Sequence, residues 1–144
     1  MTQPDYVHVI YIRADPQRIW EALTSPDETE KFWFGERCQA DWSQGAQMRF
    51  ANADNSRGFF GEVLETDPPK RLVFTFRHNS AAEHPEGPSV VTYELEEADG
   101  RTKLTVTHAR FHEDGELRRS ISGGWPLVLS SLKSYLETGE PLAA

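Results

Sequence analysis

Residues 113–139, EDGELRRSISGGWPLVLSSLKSYLETG, decide the fold. Within them Leu117, Ile121, Trp125, Val128, Leu132 and Leu136 recur at steps of four, four, three, four and four, which draws one apolar stripe along an α-helix. Gly139, followed by Glu140-Pro141, supplies a C-cap glycine and a stop. Pro126 removes a hydrogen bond to residue 122, so it either bends one long helix or marks the start of a shorter helix after a loop. The unbroken phase of the stripe favours one bent helix. No other segment is long enough to cover a sheet.

Upstream, from Glu36 to Phe111, the period changes to short strands separated by turn signals: Ser43-Gln44-Gly45, Asp54-Asn55-Ser56, Asp67-Pro68-Pro69, residues 79–88, and Ala98-Asp99-Gly100. None of the connections is helical enough for a parallel crossover, so the segment reads as an antiparallel meander. Tyr6 to Ile12 forms an earlier strand. It leads into a short helix with Asp15 as N-cap and Pro16 at the first helical position, and Ser25-Pro26-Asp27 opens a second short helix that ends near Phe32-Trp33-Phe34-Gly35. The fold class is therefore α+β: a curved antiparallel sheet of six or seven strands around a long C-terminal helix, with two short helices after strand one. One domain is expected over residues 1–144, a length that buries roughly 70% of the unfolded chain's surface.

A twisted sheet of this width curls, and its concave face has to be covered. A rod laid inside a curved sheet leaves a gap lined by the inward strand positions, a ready site for a small apolar ligand. In the three clearest strands one phase is apolar throughout: Leu72, Phe74, Phe76; Val91, Tyr93, Leu95; Leu104, Val106. Continuing that phase brings His78 and His108 inward. The turn signal at residues 98–100 pairs residue 91 with 106 and 89 with 108, and the longer hairpin brings 78 near 89. His78, Ser89 and His108 are then expected at one level near the cavity mouth, the two imidazoles roughly 9 to 10 Å apart. That distance is too long for one metal ion and suits a grip on a ligand's polar end. With helix residues added, the predicted lining is Trp33, Phe74, Phe76, His78, Tyr93, His108, Trp125 and Leu129.

Composition and motifs exclude much else. A net charge of −8 repels phosphate backbones and anionic membranes, so neither nucleic acid nor membrane is an expected partner. No run approaches the roughly 18 apolar residues of a membrane span, and Met-Thr-Gln-Pro-Asp lacks the regions of a signal peptide, so a cytoplasmic location is expected. Cys38 is the single cysteine, which rules out an intrachain disulfide and a thiolate cluster and leaves it a packing role. There is no HExxH, helical histidine pair, GxGxxG, P-loop or nucleophile elbow, so no metal, cofactor or catalytic residue is assigned.

In order along the chain stand Ala14-Asp15-Pro16, Ile19-Trp20-Glu21-Ala22-Leu23-Thr24, Lys31-Phe32-Trp33, Gly61-Glu62-Val63-Leu64-Glu65 and Pro68-Pro69-Lys70-Arg71-Leu72-Val73-Phe74-Thr75-Phe76. Val91-Thr92-Tyr93-Glu94-Leu95, Thr102-Lys103-Leu104-Thr105-Val106-Thr107-His108, Gly124-Trp125-Pro126 and residues 129–139, LSSLKSYLETG, follow. These segments resemble the activator of heat shock protein 90 ATPase homologue group, within the START-like, polyketide-cyclase-like (SRPBCC, helix-grip) superfamily, over nearly the whole chain. The resemblance implies a helix-grip fold with an interior hydrophobic cavity and no particular reaction. The function expected first is non-catalytic binding of a small apolar or amphipathic molecule. A cyclase or dehydratase using His108 or His78 as acid or base, with Tyr93 as hydrogen-bond donor, is the alternative, and a protein-partner module comes third. The eukaryotic cochaperones of this group carry an additional domain for which this chain has no room, so chaperone contact is not expected; a homodimer is left open.

Overall fold

The computed structural model describes residues 5–51, 58–78, 89–109 and 116–142, except the side chains of 51, 58, 59, 77, 78 and 116–122. Along the chain run β1 (Tyr6–Ile12), α1 (Pro16–Thr24), α2 (Pro26–Phe32), β2 (Arg37–Ala40), β3 (Gln47–Ala51), β4 (Gly58–Asp67), β5 (Arg71–His78), β6 (Ser89–Ala98), β7 (Arg101–Ala109) and α3 (Glu116–Thr138). The seven strands form one antiparallel sheet in the order β1-β7-β6-β5-β4-β3-β2. Because the first strand pairs with the last, the free edges are β1 and β2.

The expected helix signals act as read. Asp15 Oδ1 accepts the Arg18 N–H at 2.8 Å and Pro16 opens α1, which buries Ile19, Trp20, Ala22 and Leu23. Residues 116–138 form one α-helix that runs through Pro126, and Gly139 ends it at φ +90 with its N–H on the Tyr135 carbonyl. Trp125, Val128, Leu129 and Leu132 are its buried stripe. No helix of the described residues is long and apolar enough to cross a membrane.

Polar contacts fix where the helices sit. Arg18 grips Glu28 with two hydrogen bonds, at 3.0 and 2.6 Å, and the Tyr135 hydroxyl donates to the same carboxylate at 2.7 Å, joining α1, α2 and α3. The Arg18 hydrogen bond is the main cause that holds the Glu28 carboxyl below the usual carboxylate range. From the same C-terminal turns of α3, Lys133 Nζ donates to the Tyr11 carbonyl at 2.6 Å and Glu137 accepts the Arg13 N–H at 2.7 Å. Both contacts reach the free side of β1, so α3 guards half of that edge.

The strand register differs from the sequence expectation by two residues. Ala98 stays in β6 opposite Arg101, and the turn falls on Asp99 and Gly100, both at positive φ (53 and 81). Such a two-residue turn matches the strand twist and moves each β6–β7 pair along, so Val91 faces His108, not residue 106; in the separate β5–β6 pairing Ser89 faces Phe76, not His78. Since side chains alternate with period two, a slip of two leaves each residue on its expected face.

Gly61 permits the close approach of β4 and β5. A Cβ there would lie 1.8 Å from the Thr75 carbonyl oxygen, and two residues on, between Val63 and Glu65, the register shifts by a bulge. Gly61→Ala is expected to cost about 3 kcal/mol or more in urea unfolding, because the obstacle is backbone and cannot rotate away. A loss under about 0.5 kcal/mol would show that the strands separate freely here.

Candidate functional site

Seven of the eight predicted lining residues meet between sheet and α3. Trp33 reaches in from the end of α2, Phe74 and Phe76 from β5, Tyr93 from β6, His108 from β7, and Trp125 and Leu129 from α3, each no more than 5% exposed. The backbone of His78 pairs with Phe59 on β4, but its side chain lies outside the described residues, so the expected pair of imidazoles is described at His108 alone.

The rings touch. Trp33 packs on Phe50 at a centroid distance of 4.6 Å and on Trp125 at 5.1 Å, Phe74 on Tyr93 at 5.4 Å, and Phe76 on His108 at 5.0 Å. The tilted and edge-on geometries are those that aromatic quadrupoles favour. Phe50, which also meets Phe74 and Phe76 at 6.4 and 6.2 Å, is a member that sequence reasoning missed. The signal was present in the alternation Gln47-Met48-Arg49-Phe50, whose apolar phase is buried. A separate surface cleft of about 160 Å³ lies by the β6–β7 turn, lined by Arg13, Ala14, Asp15, Glu97, Gly100 and Arg101, and takes in none of the predicted lining residues.

Inside this apolar cluster runs one chain of hydrogen bonds whose directions follow from chemistry. An indole N–H only donates, so Trp125 Nε1, 3.1 Å away, makes His108 Nδ1 an acceptor and places the proton of the neutral ring on Nε2. Nε2 then donates to Ser89 Oγ at 2.8 Å, and that hydroxyl donates to the Phe76 carbonyl at 2.8 Å. Helix α3 is thereby linked through β7 and β6 to β5. Burial pushes the His108 pKa down to about 3 from its ordinary 6.5, so the ring is neutral at pH 7. Burial likewise raises the Tyr93 phenol and, together with the charge of Glu36, the Cys38 thiol, which keeps both protonated. His108 therefore offers neither a free lone pair at Nδ1 nor an uncommitted proton at Nε2, and proton transfer through it requires breaking a bond to Trp125 or Ser89.

The family model described as "Activator of Hsp90 ATPase homolog 1-like protein" matches residues 13–137. The chain belongs to this family. Among solved structures, the Aha1 dimer from Colwellia psychrerythraea superposes with a TM-score of 0.79 at 27% identity, over 95% of this chain and 98% of that one. DynU16, a protein from the dynemicin biosynthetic locus, matches with a TM-score of 0.81 at 26% identity, over 96% of this chain and 49% of its own length. MLL2253 from Mesorhizobium loti gives 0.78 at 25% identity, over 93% and 97% of the two chains. No curated protein matches. The Activator of Hsp90 ATPase homolog 1-like family thus shares the helix-grip fold seen here, a polyketide-cyclase-like sheet closed over by its last helix.

The depressed His108 pKa makes a signed prediction. The unfolded chain takes up a proton near pH 6.5 and the folded chain only near 3, so His108 contributes stability above pH 6.5 that is lost as pH falls between those values. At pH 4.5 the loss is on the order of 2–3 kcal/mol. Urea unfolding of wild type and His108→Gln at pH 7.5 and 4.5 isolates it, and the variant should lack this part of the acid sensitivity. Equal sensitivity in both proteins would contradict a buried neutral ring.

Proposed function

We propose that the chain binds a small apolar or amphipathic molecule between the sheet and α3, without catalysing a reaction on it. The observation that carries this reading is the Trp125–His108–Ser89 hydrogen-bond chain set among Trp33, Phe50, Phe74, Phe76 and Tyr93. Aromatic walls supply affinity for an apolar body, and one polar point inside them orients it. Withdrawal of the Trp125 indole frees His108 Nδ1 to accept a hydrogen bond from a ligand hydroxyl or N–H. A ligand with one donor end on an apolar body satisfies both the rings and this nitrogen.

Since the rings already touch, entry requires Trp125 to move with α3. Gly123 and Gly124 immediately precede it and Pro126 follows, and a Cβ on either glycine would meet nothing within 4 Å. Space does not demand glycine there, so ease of bending is the property they add. The His108 geometry speaks against the acid–base alternative. His78, Trp33 and Leu129 complete the proposed lining. A cytoplasmic location belongs to the same reading, and from the dimeric Colwellia relative we extend self-association to this chain.

A thermal-shift panel of fatty acids, aromatic polyketides and steroids tests the binding. A true ligand at about 100 times its Kd adds roughly 2.7 kcal/mol and raises Tm by several degrees; no stabilisation by any member contradicts the proposal. With a positive compound in hand, the double variant Gly123→Ala, Gly124→Ala should be about 1–2 kcal/mol more stable and take up ligand several-fold more slowly by stopped-flow tryptophan fluorescence. Unchanged uptake would mean that α3 does not bend to admit it.

A further inference from the structure

We infer that the convex face of β1, β7 and β6 is the surface on which a second copy of this chain docks, sheet against sheet. The inference rests on the self-association just proposed and names its surface. Register sets out what that face carries. Val7 lies opposite Thr107, which lies opposite Thr92; Val9 lies opposite Thr105; Tyr11 ends the row on β1. Val7, Val9 and Tyr11 are 58%, 46% and 47% exposed, and the three threonines are half-buried. None of the six is charged. Charges begin at Asp5 beyond one end of β1, at Lys103 directly opposite Tyr11 and at Glu94 directly opposite Thr105.

The occupant follows from charge. Two identical chains each carry −8 and repel one another wherever acidic surfaces meet. In a chain with 26% charged residues, a patch of exposed Val, Thr and Tyr side chains without charge is where two copies approach at least electrostatic cost. A foreign partner drawn to an acidic protein would be basic and would seek the acidic surface instead. A two-fold arrangement uses the same band on both copies, and two sheet faces pack about 10 Å apart with interleaved side chains.

Edge-to-edge pairing of β1 with its copy is the competing geometry, and α3 obstructs it. The Tyr11 carbonyl and the Arg13 N–H on the free side are already taken by Lys133 and Glu137. That leaves the backbone groups of Val7 and Val9, too few for a stable ladder. On this side of the sheet the face, not the β1 edge, is the available surface. The uncharged patch is three strands wide at Val7, two at Val9 and one at Tyr11, roughly half of a 15 by 15 Å square and well below a standard interface, so the dimer is expected to be weak, with a micromolar or higher dissociation constant.

Sedimentation velocity over micromolar to submillimolar concentration reads the outcome. Wild type should shift from the 16.4 kDa chain toward twice that mass, while Val9→Lys and Thr107→Glu each raise the dissociation constant at least about tenfold. Leu127→Lys, at a position on α3 that is 58% exposed, should dimerise as wild type does, and unchanged far-UV circular dichroism confirms that all three variants fold. A wild type that stays monomeric throughout overturns self-association itself. A dimer insensitive to Val9→Lys and Thr107→Glu overturns only this face.

Discussion

Within the aromatic interface of α3 and the sheet, the Trp125 indole donates a 3.1 Å hydrogen bond to His108 Nδ1. Around it lies apolar packing of the aromatic rings, which is strong but non-directional. The hydrogen bond supplies direction: with the Tyr135, Lys133 and Glu137 contacts it sets the rotation of α3 about its axis, and it sets the tautomer of His108 and, through Nε2, the orientation of the Ser89 hydroxyl. A buried polar group left without a partner costs about 1–3 kcal/mol, so sliding α3 along the sheet is penalised unless another donor takes the place of the indole. The same bond is therefore both the lock on the closed interface and the point at which a ligand would be recognised.

Much of this was legible because it depends on period and polarity. The steps along 117–136 yield one helix, buried at Trp125, Val128 and Leu132 among the described side chains, Asp15-Pro16 yields its own helix start, and the alternation along residues 72–76 and 91–95 assigns the inner face of the sheet correctly. Pairing register was less legible. It depends on which residues adopt positive φ, and Asp99-Gly100 wins over residues one position earlier because Asp and Gly tolerate that conformation. The two-residue error was harmless to the site because it preserved parity.

Other features rest on meetings across the fold that no local pattern encodes. Phe50 becomes the partner of Trp33, Phe74 and Phe76 only once β3 is placed beside β4, and the Arg18–Glu28–Tyr135 tie needs α1, α2 and α3 assembled. The Val63/Glu65 bulge has no signature beyond an ordinary strand sequence. Family membership adds the helix-grip frame, and at 27% identity or below the solved relatives inform architecture more than ligand chemistry.

The central claim is that the rings around His108 part to hold a small molecule. Native mass spectrometry of the protein purified from its own host measures this most directly. A non-covalent adduct on the 16.4 kDa chain, shed on gentle collisional activation and absent after denaturation, is the predicted result. Bare chain mass alone, in every preparation and at the lowest activation energy, would contradict it.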